Sequence, residues 1–201
     1  MRKHEKRKKG QALPRQFEFT VITGTLKGRT IVSPDLGVTR PPLSRLRKAI
    51  FDFLMPYLED AHYLDLYSGT GSYLFEAVSR GVGSATGIEI EQALVQSIND
   101  QASRFGVDAR LVCLCEDVFV AIPRLTAQGK QYDIIMIAPP QYQGLIDKTL
   151  NALRQSPLLS PNGIILCQHD KSETDKIDFS AWSILQQRAY GNTVFTVLAA
   201  R

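Results

Sequence analysis

Residues Leu64-Asp65-Leu66-Tyr67-Ser68-Gly69-Thr70-Gly71 lead from an apolar, strand-like run directly into the helical pattern of residues 72–78. Gly69 and Gly71 can adopt backbone angles that other residues avoid, so the chain at this turn can pass close to a ligand. The first turn of the following helix also offers free backbone N–H groups. The segment predicts the first strand-to-helix turn of an α/β protein, with a nucleotide-like cofactor bound beside it.

Asp65 distinguishes this turn from one that binds a dinucleotide. The third glycine of the dinucleotide pattern would fall at Leu74, which counts against NAD. A carboxylate at the strand end can accept hydrogen bonds from a cationic amino-acid group, whereas it is poorly suited to a pyrophosphate. Two glycines after a strand can also reflect tight packing alone, so the motif is weak evidence by itself.

Apolar runs of strand length alternate with helix-like segments along most of the chain. The first run, at residues 63–67, is followed by others at 85–90, 109–115, 134–138 and 163–167. This alternation predicts a mostly parallel, doubly wound sheet. Near the end of the chain, residues 182–188 and 193–199 flank Tyr190-Gly191-Asn192, which predicts an antiparallel hairpin at one edge of that sheet.

The segment before the first turn has a different pattern. Residues 17–22 and 29–32 resemble two short strands around Gly24 and Gly28. They are followed at Ser44–Leu58 by apolar residues at helical spacing behind a serine cap. The pattern predicts a small β-hairpin and a helix ahead of the α/β core.

The 201 residues, 44% of them hydrophobic, are enough for one sizeable core, and no internal repeat is visible. We expect a basic disordered tail at residues 1–16 and one domain at 17–201, in which a hairpin and loop at 17–43 precede the core at 44–201. No apolar run approaches the roughly 18 residues of a membrane span. The three cysteines form no C-x-x-C pair. We therefore expect a cytoplasmic protein with no membrane contact and no bound metal.

Positive charge is concentrated in the first 50 residues. They contain thirteen Lys and Arg residues and three acids, a net charge of +10, whereas the remainder carries −6. Such a basic arm on a mildly acidic body is typical of a catalytic domain that holds a polyanion, although a solvated tail would explain residues 2–9 equally well. Five basic residues are stronger evidence for a polyanion-binding surface, because they lie beside predicted structure: Lys27, Arg29, Arg40, Arg45 and Arg47.

Acidic residues recur at the carboxyl ends of the first three predicted strands of the core, at Asp65, Glu89 and Asp117. Open α/β sheets bind ligands in the crevice at this edge. Glu89 is a candidate acceptor for ribose hydroxyls, and Asp117 is placed to hold an exocyclic amine. A polar strand end or a helix cap is the alternative explanation for Glu89 and Asp117.

The chain from about Phe19 to its end resembles the bacterial guanine-N2 methyltransferases that act on 16S ribosomal RNA, a branch of the Rossmann-like S-adenosylmethionine-dependent methyltransferases. The resemblance is specific because many short blocks occur in the same order and spacing. These blocks are Ile22-Thr-Gly-Thr-Leu-Lys-Gly-Arg29, Thr39-Arg-Pro41, Arg45-Leu-Arg-Lys-Ala-Ile-Phe51, Leu64-Asp-Leu-Tyr-Ser-Gly-Thr-Gly71, Phe75-Glu-Ala-Val-Ser-Arg-Gly81, Ile88-Glu89, Glu116-Asp117, and Pro139-Pro140 with Gly144-Leu145.

The resemblance implies a Rossmann-like methyltransferase fold with S-adenosylmethionine as the cofactor. It implies a monomeric enzyme whose partner is ribosomal RNA or an assembling small ribosomal subunit. The cofactor contacts it implies are Asp65, Tyr67, Gly69, Gly71, Glu89, Ile90, Asp117 and Ala138. The RNA contacts it implies are Lys27, Arg29, Arg40 and Arg45.

The catalytic loop departs from the family pattern. The family has Asp or Asn, two prolines and an aromatic residue where this chain has Ala138-Pro139-Pro140-Gln141-Tyr142. In the family, the side-chain oxygen and a proline-loop carbonyl accept hydrogens from the target amine, and the ring stacks on the flipped base. Ala138 cannot accept a hydrogen bond through its side chain, and the ring comes one position later. Pro139, Pro140, Gln141 and Tyr142 are the candidate catalytic residues. Gln168 is a second departure, at a position where the family often has glutamate.

Three interpretations remain open. The first is an active guanine-N2 methyltransferase whose loop uses the Pro139 carbonyl, with Gln141 or Tyr142 as the substitute acceptor or stacking ring. The second is an amino-methyltransferase with another nucleic-acid target, such as adenine-N6. The third is a catalytically silent RNA-binding module that retains the cofactor pocket. The complete pattern of the cofactor turn favours the first two, and of these we favour the first.

Overall fold

The structure, a computed structural model, describes residues 15–37 and 44–201, which form nine strands, five α-helices and a short 3₁₀ helix, Lys171–Lys176. None of the described helices has the length and apolar character of a membrane span. The strands are β1 (Gln16–Thr20), β2 (Thr30–Pro34), β3 (His62–Asp65), β4 (Ser84–Glu89), β5 (Leu111–Cys115), β6 (Tyr132–Ile137), β7 (Leu159–Asp170), β8 (Trp182–Tyr190) and β9 (Thr193–Ala200). The helices are α1 (Ser44–Leu58), α2 (Ser72–Ser79), α3 (Gln92–Arg104), α4 (Val118–Ala127) and α5 (Leu145–Arg154). Of the predicted tail, residues 1–14 lie outside the described residues.

Seven of the described strands form one sheet in the order β5-β4-β3-β6-β7-β9-β8. β3, β4, β5, β6 and β7 are parallel to one another, whereas β9 runs antiparallel to both β7 and β8. The predicted doubly wound sheet with an antiparallel edge hairpin is therefore confirmed. β1 and β2 pair separately as an antiparallel hairpin, as the amino-terminal pattern predicts.

β7 is longer than its apolar run at residues 163–167. Its first residue, Leu159, pairs with Tyr132 of β6, and regular pairing resumes only at Ile164 after an irregularity. Polar contacts hold this added part, since the Ser160 hydroxyl donates to Asp133 Oδ1 at 2.7 Å. Hydrophobicity alone does not reveal a strand segment that is paired but not buried.

The edge strand β8 contains a bulge. Its pairing with β9 skips from Ile184 to Gln186, so Leu185 is the additional residue. Ile184 and Leu185 are both about half exposed. The outer edge of the sheet is therefore irregular at this point.

The central strand β6 is buried on both of its faces. Ile134 and Met136 pack into the core that lies against α1, α2 and α3, whereas Ile135 and Ile137 pack into the core formed with α4 and α5. All four side chains are inaccessible to solvent. Double burial explains why the strand is a continuous apolar run rather than an alternating one.

The β1–β2 hairpin is attached to α2 and α3 by polar contacts. The Gln101 side chain accepts the Val32 N–H and donates to the Val32 carbonyl, both at 2.7 Å. The Leu26 N–H donates to Ser79 Oγ at 2.9 Å. A Cβ atom at Gly24 would lie 1.7 Å from the Ser79 carbonyl oxygen, so only glycine allows this approach. The hairpin is therefore an integral part of the helical layer.

Glu76 is completely buried where α1, α2 and the hairpin meet. Its carboxylate accepts the Ile22 N–H at 3.0 Å and the Thr23 N–H at 3.2 Å. Arg80 Nε donates to it at 2.8 Å, and Arg47 Nε lies 3.6 Å away. A buried carboxylate is tolerated only when such partners replace its hydration.

We expect Glu76→Ala to lower the free energy of unfolding by about 3–5 kcal/mol, because buried Arg47 would lose its carboxylate partner and buried Arg80 would keep only the half-exposed Asp52. Lys48→Ala is the control. It removes the Lys48–Asp52 pair at the surface, in which both side chains are about half exposed, and leaves the Asp52–Arg80 contact in place, so the loss should be about 1 kcal/mol or less. Urea denaturation followed by circular dichroism measures both changes. Equally small losses would contradict a central role for Glu76.

Candidate functional site

The order of the strands reverses between β3 and β6, which is where an open α/β sheet forms a ligand crevice. Asp65 at the end of β3 pairs with Met136 of β6, and the Leu66 N–H donates to the Met136 carbonyl at 3.0 Å. Ala138 follows β6 directly. The structure therefore brings the predicted cofactor turn and the predicted catalytic loop to the same edge of the sheet.

Asp65 is completely buried at this crevice. Its Oδ1 accepts the Tyr67 N–H at 3.3 Å, while its Oδ2 has no hydrogen-bond partner among the described residues. Burial raises the pKa of Asp65 to about 7; the Tyr67 N–H opposes this shift, and the nearby charge of Glu89 adds to it. A buried acceptor without a partner is suited to a cationic group of a ligand.

Glycine is required at positions 69 and 71 for different structural reasons. Gly69 has a φ of 52°, and its N–H donates to Glu89 Oε2 at 2.7 Å. Gly71 has a φ of 76°, and a Cβ atom there would lie 2.7 Å from Cγ1 of Ile98 on α3. Packing against α3 therefore excludes a side chain at Gly71, whatever ligand is bound. Contacts of both glycines with a cofactor remain predictions.

Glu89 is oriented by three backbone N–H groups. Besides Gly69, Ile90 and Glu91 donate to its Oε1, at 2.9 Å and 3.0 Å. Carboxylate oxygens keep further acceptor capacity after such bonds, so hydroxyl groups of a ligand can still be accepted. The Ile90 side chain beside it is 63% exposed and offers an apolar surface for a planar group.

Asp117 caps α4, because its Oδ1 accepts the Phe119 N–H at 2.7 Å. The helix-cap explanation is therefore correct, and a role in holding an amine would depend on Oδ2. Phe119, an aromatic residue that is 38% exposed at the start of α4, was not identified from the sequence. An aromatic residue two positions after an acid at a strand end is the signal that could have identified it.

The Tyr67 hydroxyl connects the cofactor turn to α5. It lies 2.8 Å from Thr149 Oγ1, and the Thr149 hydroxyl donates its one proton to the Leu145 carbonyl at 2.7 Å. Tyr67 is therefore the donor to Thr149. The hydroxyl is thus occupied, and the predicted contact of Tyr67 with a cofactor would be made by the rest of its partly buried ring.

The catalytic loop leaves the sheet at Ala138, which is partly buried, and becomes exposed from Pro140 onwards. Tyr142 has a φ of 63°, which is unusual for a residue with a side chain. The loop borders a small cavity. Its lining includes Pro139, Pro140, Gln141, Gln168 and Glu173.

Gln168 links this cavity to the interior beneath the crevice. Its Oε1 accepts a short hydrogen bond from the Tyr73 hydroxyl. Tyr73 is buried on α2 and packs on Phe51 with 6.1 Å between ring centroids. Burial, followed by the charge of Asp65, raises the pKa of the Tyr73 phenol, so it remains a donor. Neither Tyr73 nor Glu173 was identified from the sequence, because only the fold brings them to the loop.

Arg45 and Arg47 lie on α1 in opposite environments. Arg45 is exposed. Arg47 is 2% exposed, its Nη2 donates to the Thr20 carbonyl at 2.6 Å, and its guanidinium carbon lies 5.1 Å from the Phe19 ring centroid. Burial lowers the pKa of Arg47, and the charge of Glu76 opposes this effect. The expectation that Arg47 adds to a polyanion-binding surface is therefore wrong: it is a structural residue.

Arg45 lies at the crevice end of the molecule. Arg47 contacts Glu76, and Asp52, further along α1, contacts Arg80 at the end of α2. α1 and α2 therefore run side by side in the same direction. Since α2 begins at the cofactor turn, Arg45 lies near that turn as well.

Lys27 and Arg29 lie at the opposite end. Both are exposed in the loop of the hairpin, whose Thr25 N–H donates to the Ser79 carbonyl at 2.8 Å, at the far end of α2. The structure thus separates these two candidate RNA contacts from the crevice. Arg40 lies outside the described residues.

Similar proteins support the assignment of the fold. Ribosomal RNA small subunit methyltransferase D of Escherichia coli (strain K12) is 28% identical over 179 residues, which cover 89% of this chain and 88% of the relative. The structure of yhhF from Escherichia coli, described as a proposed methyltransferase, superposes with a TM-score of 0.82 at 23% identity, over 92% of this chain and 99% of that one. An S-adenosylmethionine-dependent methyltransferase from Agrobacterium tumefaciens gives a TM-score of 0.68 at 14% identity, over 97% of this chain and 73% of that one.

The fold is that of the Rossmann-like methyltransferases. Within this class, the chain belongs to the family described as Conserved hypothetical protein 95, whose model matches residues 19–199.

We expect the stability of the ligand-free protein to fall as the pH rises towards 7. Folded Asp65 keeps its proton up to about pH 7, whereas the unfolded carboxyl group loses it near pH 4. The folded state therefore binds the extra proton between these values, and about 2–4 kcal/mol of stability should be lost across this range. Asp65→Asn should remove this dependence and be more stable than wild type at pH 8.

Urea denaturation at several pH values measures this effect. Asp117→Asn, an exposed position, is the control and should retain the wild-type pH profile. If Asp65→Asn and wild type had parallel profiles, the buried carboxyl group would not be the cause.

Proposed function

We propose that the protein transfers a methyl group from S-adenosylmethionine to the exocyclic N2 of a guanine in 16S ribosomal RNA. The protein is an S-adenosylmethionine-dependent methyltransferase, by its fold and its relatives. The observation that supports the proposed site most strongly is the buried Asp65 Oδ2. It has no hydrogen-bond partner in the part of the chain that the structure describes, and it lies next to the Ala138-Pro139-Pro140 segment.

The crevice residues fit the chemical groups of this cofactor. Asp65 Oδ2, for which residues 15–37 and 44–201 provide no partner, is suited to the ammonium group of the methionine part. The oriented carboxylate of Glu89 is suited to the ribose hydroxyls. Ile90 and Phe119 offer exposed apolar surfaces for the adenine ring, and Asp117 offers an acceptor for its amine. These roles are part of the proposal.

In the proposed mechanism, the catalytic loop orients the target nitrogen. The bound cofactor supplies an electrophilic methyl group on a sulfonium sulfur. The Pro139 carbonyl accepts a hydrogen of the target amine and directs its lone pair towards the methyl carbon. Methyl transfer to this nitrogen would leave the cofactor as a neutral thioether, and the methylated nitrogen would release its extra proton to solvent. The exposed ring of Tyr142 and the amide of Gln141 provide the stacking surface and a further acceptor.

The proposal of an RNA target is supported by the name of a relative and by the distribution of positive charge. The Escherichia coli relative is named for the RNA of the small ribosomal subunit. Thirteen of the 24 Lys and Arg residues lie in the first 50 residues. Exposed Arg45 lies at the crevice end, where phosphates beside a flipped nucleotide would pass. Lys27 and Arg29 would contact more distant parts of the same RNA.

A methyl-transfer assay tests the proposed function. Cofactor with a labelled methyl group is incubated with the protein and either deproteinised RNA or small ribosomal subunits from cells that lack this protein. Digestion to nucleosides and mass spectrometry should identify N2-methylguanosine in 16S RNA. N6-methyladenosine would replace the guanine target by adenine. Cofactor and RNA binding without any transfer would favour the silent RNA-binding module.

Cofactor binding is expected to depend on the charge of Asp65. Asp65→Ala should weaken the binding of S-adenosylmethionine at pH 8 by about 1–3 kcal/mol, the effect of losing a charge-assisted hydrogen bond. In wild type, affinity should decrease as the pH falls below about 7, because protonated Asp65 cannot pair with the ammonium group. Asp65→Asn should lack this pH dependence. Calorimetry measures these affinities, and equal affinity in wild type and Asp65→Ala would reject the assignment.

Substitutions in the catalytic loop distinguish a rebuilt loop from an impaired one. We expect Gln141→Ala and Tyr142→Ala each to lower the single-turnover rate, by roughly tenfold or more, with little change in cofactor affinity. Ala138→Asn should have little effect or be harmful, because the loop is arranged around the later residues. A several-fold faster Ala138→Asn, together with unaffected Gln141→Ala and Tyr142→Ala, would instead indicate that the alanine is a loss.

A further inference from the structure

Glu173 reaches the catalytic loop from a distant part of the sequence. Its Oε1 accepts the Tyr142 N–H at 2.9 Å, a hydrogen bond that spans 31 residues of the chain. Glu173 lies in the 3₁₀ helix that follows β7, where its side chain is partly buried and lines the cavity beside Pro139. The turn after the fifth parallel strand therefore contacts the loop that follows β6.

The backbone of Tyr142 explains why such a contact is needed. Its φ of 63° lies in the left-handed region, where a side chain is crowded by the following carbonyl. Among the described non-glycine residues, Asp60 also has a positive φ, of 55°, but aspartate tolerates this conformation better than tyrosine. A strained conformation persists only where neighbouring groups fix it, and such positions are concentrated at functional sites.

The contact with Glu173 leaves the side chain of Tyr142 at the surface. The Tyr142 N–H is bonded to Glu173, whereas the ring remains 66% exposed. Tyr142 is therefore held by its backbone, while its ring stays accessible.

We propose that Glu173 is a positioning residue of the methyl-transfer reaction, which fixes Tyr142 so that its exposed ring can stack on the target base. The inference rests on the proposed function, since the base is the RNA nucleotide to be methylated. A stacking surface is effective when its orientation is set before the base arrives. In this chain Tyr142 comes one position later after the double proline than the aromatic residue of the family pattern. The prolines therefore do not fix it directly, and the turn after β7 sets its orientation.

Single-turnover methyl transfer to RNA tests the role of Glu173. Glu173→Ala should slow transfer about tenfold without changing cofactor affinity, and Glu173→Gln should be close to wild type because its amide oxygen can still accept the Tyr142 N–H. Asp175→Ala is the matched control, since Asp175 is an exposed acid on the same 3₁₀ helix. In a Tyr142→Ala background, Glu173→Ala should cause no further loss. A full additional loss in that background would overturn the proposal.

A second measurement does not depend on activity. Chymotrypsin cleaves after exposed tyrosines, and the rate of cleavage after Tyr142, followed by mass spectrometry, should rise several-fold in Glu173→Ala but not in Glu173→Gln or Asp175→Ala. Unchanged cleavage in Glu173→Ala would refute the positioning of Tyr142. If wild type methylates no RNA while cleavage changes as expected, the proposed function fails and the contact between Glu173 and the loop stands.

Discussion

The buried carboxylate of Glu76 is the interaction on which the assembly of the helical layer depends. It accepts hydrogen bonds from the hairpin at Ile22 and Thr23 and interacts with Arg47 of α1 and with Arg80 at the end of α2. A carboxylate in the core is tolerated only with all of these partners, so hairpin, α1 and α2 are fixed together. Because α2 begins at the cofactor turn, this interaction also holds the wall of the crevice.

Asp65 is a second buried carboxylate, and it lies at the crevice. Unlike Glu76, it is only partly satisfied by the described residues. Glu76 is surrounded by donors, whereas Asp65 receives one N–H from Tyr67 and keeps an oxygen without a partner among the described residues. The first carboxylate is satisfied by the protein itself, whereas the second is the proposed contact for the ammonium group of the cofactor. A site of this kind is less stable when empty, which is the usual relation between stability and function at binding sites.

The parallel sheet could be predicted from the sequence because strands buried on both faces are visible as apolar runs, and the cofactor turn because glycines follow the first of them. Other features depend on three-dimensional neighbours. Arg45 and Arg47 are both basic residues on α1, and only the position of Glu76 shows that the second is buried. In the same way, Gly71 is required by contact with α3, and Glu173 meets the catalytic loop only after the chain has folded.

The bulge at Leu185 has a consequence for the behaviour of the protein in a crowded solution. An open sheet edge can template the addition of a strand from another molecule, which is a route to aggregation. In β8 the additional residue interrupts the regular spacing of the free N–H and carbonyl groups, so a straight foreign strand could match only part of the edge. At the other end of the sheet β5 has only five residues, too few to favour addition. The shape of the two open edges therefore limits growth of the sheet. This holds for the β8 edge even though Ile184 and Leu185 expose apolar surface on it.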